Sequence, residues 1–72
     1  MNDIDVLLTM IENPTRRRIL ESLVKEPHYP LQLSKELGIS QQAVMKNLNV
    51  LEKNGFVISY QESSSMGPMR TV

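Results

Sequence analysis

The sequence predicts a mainly α-helical fold with a small β-hairpin at its carboxyl end. Apolar residues recur with helical spacing as far as Lys53, and proline, glycine and asparagine interrupt this pattern at intervals. After Gly55 the composition becomes β-branched and aromatic, which is typical of a strand. A chain of 72 residues is long enough for one small domain, which we expect to comprise residues 1–72. Because such a domain buries only about 60% of its unfolded surface, we expect a partner chain to add to its stability.

The first helix is predicted from Asn2 to Glu12. Asn2 or Asp3 can cap its first turn, where acidic side chains also suit the helix dipole. Four apolar residues recur at positions i, i+3, i+4 and i+7, so they form one stripe along the helix. We call this set the amino-terminal stripe; its members are Ile4, Leu7, Leu8 and Ile11.

The second helix is predicted from Pro14 to Lys25, with Asn13 as its cap. Pro14 suits the first helical position because its missing N–H costs nothing there. The apolar residues that we expect this helix to bury are Ile19, Leu20, Leu23 and Val24.

An extended connector follows, because Pro27 and Pro30 disfavour helix in the residues before them. A short strand at His28 and Tyr29 is one option within it. Pro30 then starts a third helix, which is predicted to end at Leu37.

A glycine-containing turn separates the third helix from a fourth, which is predicted from Gln41 to Lys53. Gly38 is suited to the left-handed cap that ends a helix, Ile39 fills the gap between the two helices, and Ser40 is a strong cap for the next one. The fourth helix is expected to bury an apolar face flanked by Ala43 and Val50, and that face consists of Val44, Leu48 and Leu51.

The carboxyl-terminal hairpin is predicted from a strand at Phe56–Tyr60, a loop at Glu62–Pro68 and a returning strand from Met69. The sequence stops at Val72, soon after the returning strand begins. A strand needs its partner's length to form a stable hairpin, so we expect the sequence to be cut inside or just after this element.

The third and fourth helices have the spacing of a helix-turn-helix, in which the turn has three to four residues and often contains glycine. Glutamine and asparagine can hydrogen-bond adenine in the major groove, and lysine suits phosphate. Met45 can either contact a thymine methyl or pack under the carboxyl-terminal hairpin. The sequence therefore predicts binding of double-stranded DNA, with Ser40 as the cap that positions the helix. A solvated polar face on a structural helix bundle is the alternative. The outward residues of the fourth helix are Gln41, Gln42, Met45, Lys46, Asn49 and Lys53.

The net charge is zero, with eight basic and eight acidic residues, but the charges are unevenly distributed. Residues 1–13 carry three acids and no base, whereas residues 14–25 carry four bases and one acid. A basic face is therefore compatible with the neutral total. The run Arg16–Arg18 either anchors phosphates or forms a solvated face with ion pairs to Glu12 or Glu21.

Residues 13–20, 33–44 and 48–57 resemble the winged helix-turn-helix of the ArsR-type transcriptional regulators, and residues 67–72 are similar to the wing of archaeal members. The resemblance implies that the helix from Gln41 is a recognition helix in the major groove. It also implies that a wing of about residues 56–72 touches the DNA backbone or minor groove through Arg70. The resemblance further implies a homodimer on a pseudo-palindromic operator, and the amino-terminal stripe is the expected dimer interface.

Other classes of function lack the residues that they need. The chain has no cysteine and one histidine, so we expect no metal-sensing role and no cofactor. It has neither a nucleophile with a base and an acid nor a glycine-rich phosphate loop, so we expect no enzyme. No apolar run approaches the ~18 residues of a membrane span, and a cytoplasmic location is expected. The alternative to DNA binding is a winged-helix module that binds proteins, which the neutral charge favours.

Overall fold

The computed structural model describes residues 2–62 and 65–72. Within them the chain forms four helices followed by two strands, so the predicted fold class is confirmed. No helix in these residues combines the length and the hydropathy needed to cross a membrane. The elements are α1 (Asp3–Glu12), α2 (Pro14–Lys25), α3 (Pro30–Leu37), α4 (Gln41–Lys53), β1 (Ile58–Tyr60) and β2 (Met69–Thr71).

Side-chain caps begin three of the helices where the sequence predicts them. The Oδ1 atom of Asn2 accepts a hydrogen bond from the Asp5 amide at 2.8 Å. Asn13 caps α2 in the same way through the Arg16 amide, at 3.0 Å. The hydroxyl of Ser40 caps α4 in turn. These bonds satisfy backbone donors that have no partner inside the helix, which explains why short helices begin at these residues.

The hydrophobic core lies where α2, α3 and α4 meet, and α1 and the hairpin add one fully packed residue each. α4 buries the face predicted for it, since Val44, Leu48 and Leu51 have no exposed surface. The other buried apolar residues are Met10, Ile19, Leu23, Leu33 and Val57.

Val24 is not part of the core, contrary to prediction, because 70% of it is exposed. At about 100° per residue, Val24 lies about 140° round α2 from Ile19, whereas Ser22 and Leu23 lie within about 60° of it. Ser22 is accordingly the buried neighbour. The apolar character of Val24 predicted its burial wrongly, because the position of a residue round the helix decides what it meets.

The hairpin is a two-stranded antiparallel sheet in which Ile58 pairs with Thr71, Ser59 with Arg70 and Tyr60 with Met69. The returning strand is therefore formed, as predicted. β1 begins two residues later than predicted. The reason is that the Phe56 amide donates to the Leu51 carbonyl at 2.9 Å, which closes the end of α4 instead of extending a strand.

The connector between α2 and α3 joins the sheet at one residue. His28 and Arg70 exchange two backbone hydrogen bonds, of 2.9 and 2.8 Å, in an isolated antiparallel bridge. The short strand considered at His28 and Tyr29 is thus present as this single pair. Its consequence is that β2 is held between β1 and the segment that leads into α3.

Candidate nucleic-acid interface

The turn between α3 and α4 is held by hydrogen bonds from both sides. Gly38 adopts the left-handed conformation, with φ 67° and ψ 36°, and its amide donates to the Ser34 carbonyl at 3.0 Å. The Ser34 hydroxyl donates to the Ile39 carbonyl at 2.6 Å, and Ile39 packs partly buried against the core. The angle between the two helices is therefore set by the turn itself. Ser34 was not singled out from the sequence.

Arg18 adds a contact to this turn from α2, because its Nη2 atom donates to the Leu37 carbonyl at 3.2 Å. That carbonyl belongs to the last turn of α3, where backbone acceptors have no helical partner. A cation there also interacts favourably with the negative end of the helix dipole.

The other two arginines of the run serve α1 in the same manner. Arg16 donates through Nε at 3.0 Å and through Nη2 at 3.2 Å, and Arg17 donates through Nη1 at 2.7 Å. α1 has no basic residue in its own last turn, so these side chains supply the missing cations. No ion pair with the two predicted acids exists among the residues described, and that expectation was wrong. The acceptors are the carbonyls of Thr9, Met10 and Ile11.

The outward face of α4 brings together four of the residues predicted to meet DNA. Within residues 2–62 and 65–72 their side chains make no hydrogen bond or ion pair with another protein group. At about 100° per residue they lie within about 60° of one another round the helix. The face therefore presents amide and ammonium groups to solvent; its residues are Gln42, Lys46, Asn49 and Lys53, all exposed.

The remaining predicted residues of α4 lie at its start or on its flank. Gln41 is exposed in the first turn, next to the cap Ser40. Met45 is half-buried and packs against the core, so only part of its side chain is available to DNA. It lies within about 20° of Glu52 round the helix, on the side that carries the hairpin. Asn47, which the sequence did not single out, donates to the Ala43 carbonyl at 2.8 Å.

Arg70 does not reach the surface, which contradicts the role in DNA contact expected of it. Only 7% of the residue is exposed. Its Nε atom donates to Glu52 Oε1 at 2.8 Å, and its Nη1 atom donates to the Pro68 carbonyl at 2.7 Å. β2 turns this side chain inward, over the end of α4, and a buried guanidinium is stable there only because these acceptors satisfy it.

The exposed residues of the hairpin that the structure describes are apolar, uncharged polar or acidic rather than basic. Ile58 is 60% exposed, Val72 is about half exposed, and Tyr60 is exposed over 38% of its surface. Among the described residues of the hairpin, Glu62 is the one exposed residue that carries a charge at neutral pH. Any contact of this element with a phosphate backbone therefore depends on uncharged groups.

Three residues of the amino-terminal stripe are exposed, and the fourth, Ile11, is half-buried. Ile4 is 68% and Leu8 is 54% exposed, and Met10 is the residue that α1 buries. Beside the stripe lies an open groove of about 650 Å³ between α1 and the end of α4, lined by Ile4, Leu7 and Phe56 among others. Contiguous exposed apolar surface is a feature of sites where proteins interact.

Comparisons with known proteins agree with this geometry. A family model described as a helix-turn-helix domain matches residues 11–60. A protein of Methanocaldococcus jannaschii described as an uncharacterized HTH-type transcriptional regulator is 33% identical over 60 residues, which make up 83% of this chain. The chain spans 15% of the length of that relative.

Three solved structures share the fold. The transcriptional repressor BigR from Xylella fastidiosa has a TM-score of 0.88 at 22% identity, with 99% of this chain and 70% of that one covered. HlyU from Vibrio cholerae has a TM-score of 0.84 at 28% identity, over 100% of this chain and 80% of that one. An ArsR family transcriptional regulator has a TM-score of 0.79 at 20% identity, over 99% and 76%. The predicted resemblance is confirmed, and nothing in the comparisons supports a protein-interaction module.

Proposed function

This chain belongs to the helix-turn-helix domain family, and we propose that it binds double-stranded DNA in a sequence-specific manner to regulate transcription. The observation that carries the proposal is the outward face of α4, whose amide and ammonium groups have no partner among the described residues. A polar face that is exposed, rigid and preceded by a capped turn is suited to the major groove. The names of the relatives, which are regulators and a repressor of transcription, support the same function.

The amide side chains of α4 read the sequence in this proposal. Gln41 and Gln42 lie in the first turn, and the residues at the start of a recognition helix are those that reach base edges. Asn49 lies two turns further along the same face as Gln42. Each amide can donate one hydrogen bond to adenine and accept another from it. Such a pair of hydrogen bonds favours adenine over other bases by about 1–3 kcal/mol per contact. Met45 contributes the apolar contact to a thymine methyl through its exposed part.

The lysines of α4 set affinity and position. Lys46 and Lys53 are exposed on the reading face and suit phosphate oxygens, which carry no sequence information. Ser40 acts as the cap that orients the first turn. The wing, residues 56–72, approaches the backbone or the minor groove with uncharged groups, and Arg70 supports it from within.

We further propose that the protein is a homodimer on a pseudo-palindromic operator, paired through the amino-terminal stripe. The exposure of Ile4 and Leu8 and the adjoining groove support this interface. Two copies double the area read on DNA, which a neutral domain of this size needs because its electrostatic affinity is small. A DNA-binding protein without cysteine fits the cytoplasm as its location.

Binding-site selection from a random duplex library tests the proposal, followed by gel shifts at two salt concentrations. We expect an enriched motif with two related half-sites and a complex that weakens as salt rises. A library without any enriched motif, with the wild-type protein folded, would contradict the function.

A further inference from the structure

We propose that Arg70 is a positioning residue for DNA recognition, which fixes the root of the wing to both helices of the helix-turn-helix. This inference rests on the proposed function, since it concerns how the wing is held while α4 reads DNA. Four residues carry it through two side-chain contacts and one backbone pair, and together we call them the Arg70 clamp. They are Glu36 on α3, His28 on the connector, Arg70 on β2 and Glu52 on α4.

The first half of the clamp joins the wing to the recognition helix. Arg70 and Glu52 are 18 residues apart in sequence, and their side chains meet at 2.8 Å with the arginine 9% and the glutamate 28% exposed. The same guanidinium also holds the Pro68 carbonyl, where the chain enters β2. One planar group with donors in two directions thus fixes both the angle and the starting point of the returning strand.

The second half joins the wing to the first helix of the motif. His28 pairs with Arg70 through two backbone hydrogen bonds and is 7% exposed. Its Nε2 atom lies 3.2 Å from Glu36 Oε2, and its Nδ1 atom lies 2.8 Å from the Glu26 carbonyl. Each ring nitrogen therefore faces an oxygen acceptor, so the ring has one orientation in which both contacts are made.

These contacts determine the tilt of the wing as well as its attachment to the core. Val57, buried at the entry to the hairpin, holds the wing against the core but does not specify its tilt. The guanidinium of Arg70 does specify it, because its Nε atom must meet Glu52 while its Nη1 atom meets the Pro68 carbonyl. The clamp therefore accounts for a wing without an exposed cation: the arginine expected to touch DNA acts instead on where the wing lies.

Hydroxyl-radical footprinting on a selected duplex tests the inference, with every variant kept well below its thermal midpoint. In Glu52→Gln the guanidinium loses its counter-charge but keeps an acceptor. We expect protection by α4 at the centre of each half-site to remain and protection by the wing at the flank to weaken, with affinity about tenfold lower. The matched control is Glu21→Gln, an exposed acid on α2 without a partner among the described residues, which keeps the wild-type footprint.

A second variant separates positioning from stability. Replacing a buried ion pair with apolar residues of similar size often leaves stability unchanged or raises it. In Glu52→Met with Arg70→Met we expect a thermal midpoint near that of the wild type, together with the loss of flank protection. Full flank protection in both variants would overturn the positioning role and leave DNA binding intact. If the wild-type protein itself shows no flank protection, the positioning role is also overturned. If the wild-type protein gives no footprint on any duplex, the proposed function is overturned as well.

Discussion

Lys46→Ala is the substitution whose effect the structure defines most closely. Lys46 lies on the exposed face of α4, and its only companion cation on that face is Lys53, among the residues described. Arg16, Arg17 and Arg18 already donate to backbone carbonyls, so we do not count them as phosphate contacts. α4 then contributes two phosphate contacts per protomer.

The salt dependence of binding follows from this count. The logarithm of affinity falls with the logarithm of salt concentration by about 0.9 for each phosphate contact, so a dimer with four contacts has a slope of about −3.6. Lys46→Ala removes one contact per protomer and reduces the slope by about 1.8. When salt rises from about 50 to 200 mM, the factor by which affinity falls is therefore roughly ten times smaller for the variant than for the wild type.

Fluorescence anisotropy of a labelled duplex over this range of salt measures the slope directly. The control is Lys25→Ala, which removes the same charge from the far end of α2. It should leave the slope unchanged. A wild-type slope for Lys46→Ala would refute the assignment of this face to DNA. A reduction of the slope by about 0.9 in place of about 1.8 would mean that one protomer binds the duplex, and it would refute the dimer.

Three further predictions concern other residues of the proposed interface. Gln42→Ala should relax one base position of the selected motif, at a cost of about 1–3 kcal/mol in operator binding, and a repeated selection with an unchanged motif would exclude it as a reading residue. Ser40→Ala removes the cap of α4 and should lower the free energy of unfolding by about 1 kcal/mol in urea titration, whereas Ser65→Ala, on an exposed loop, should not. Leu8→Asp should yield monomer in sedimentation equilibrium with little loss of thermal stability, because Leu8 is half-exposed within one chain. The control Val24→Asp, at a more exposed position outside the stripe, should keep the dimer. A dimeric Leu8→Asp would rule out the stripe as the interface.

Features that depend on near neighbours in the chain were predictable. Asn13 with Pro14 marks the start of α2, and Gly38 with Ser40 marks the turn, because these residues bond to or shape the backbone within a few positions. The outward residues of α4 follow from the same logic. Once the apolar face of a helix is known, its period determines the opposite face.

The destinations of long cationic side chains were not predictable from the sequence. Arg18 meets a carbonyl 19 residues away, and Arg70 meets a carboxylate 18 residues away. An exposed and a buried arginine look alike in a sequence, since a long flexible side chain takes whichever acceptor the packing brings near. The same holds for His28, whose partner on α3 is chosen by the path of the connector.

The sequence by itself determined the helices, their caps, the turn and the reading face of α4, because hydrogen bonds and helical period act over a few residues. Only the tertiary structure decided which apolar stripe enters the core and which charges turn inward. Met10 is buried and Leu8 is exposed although both are apolar residues of α1, and Arg70 supports the wing from inside. The physical reason is that burial depends on what lies opposite a side chain, and elements distant in sequence supply that surface.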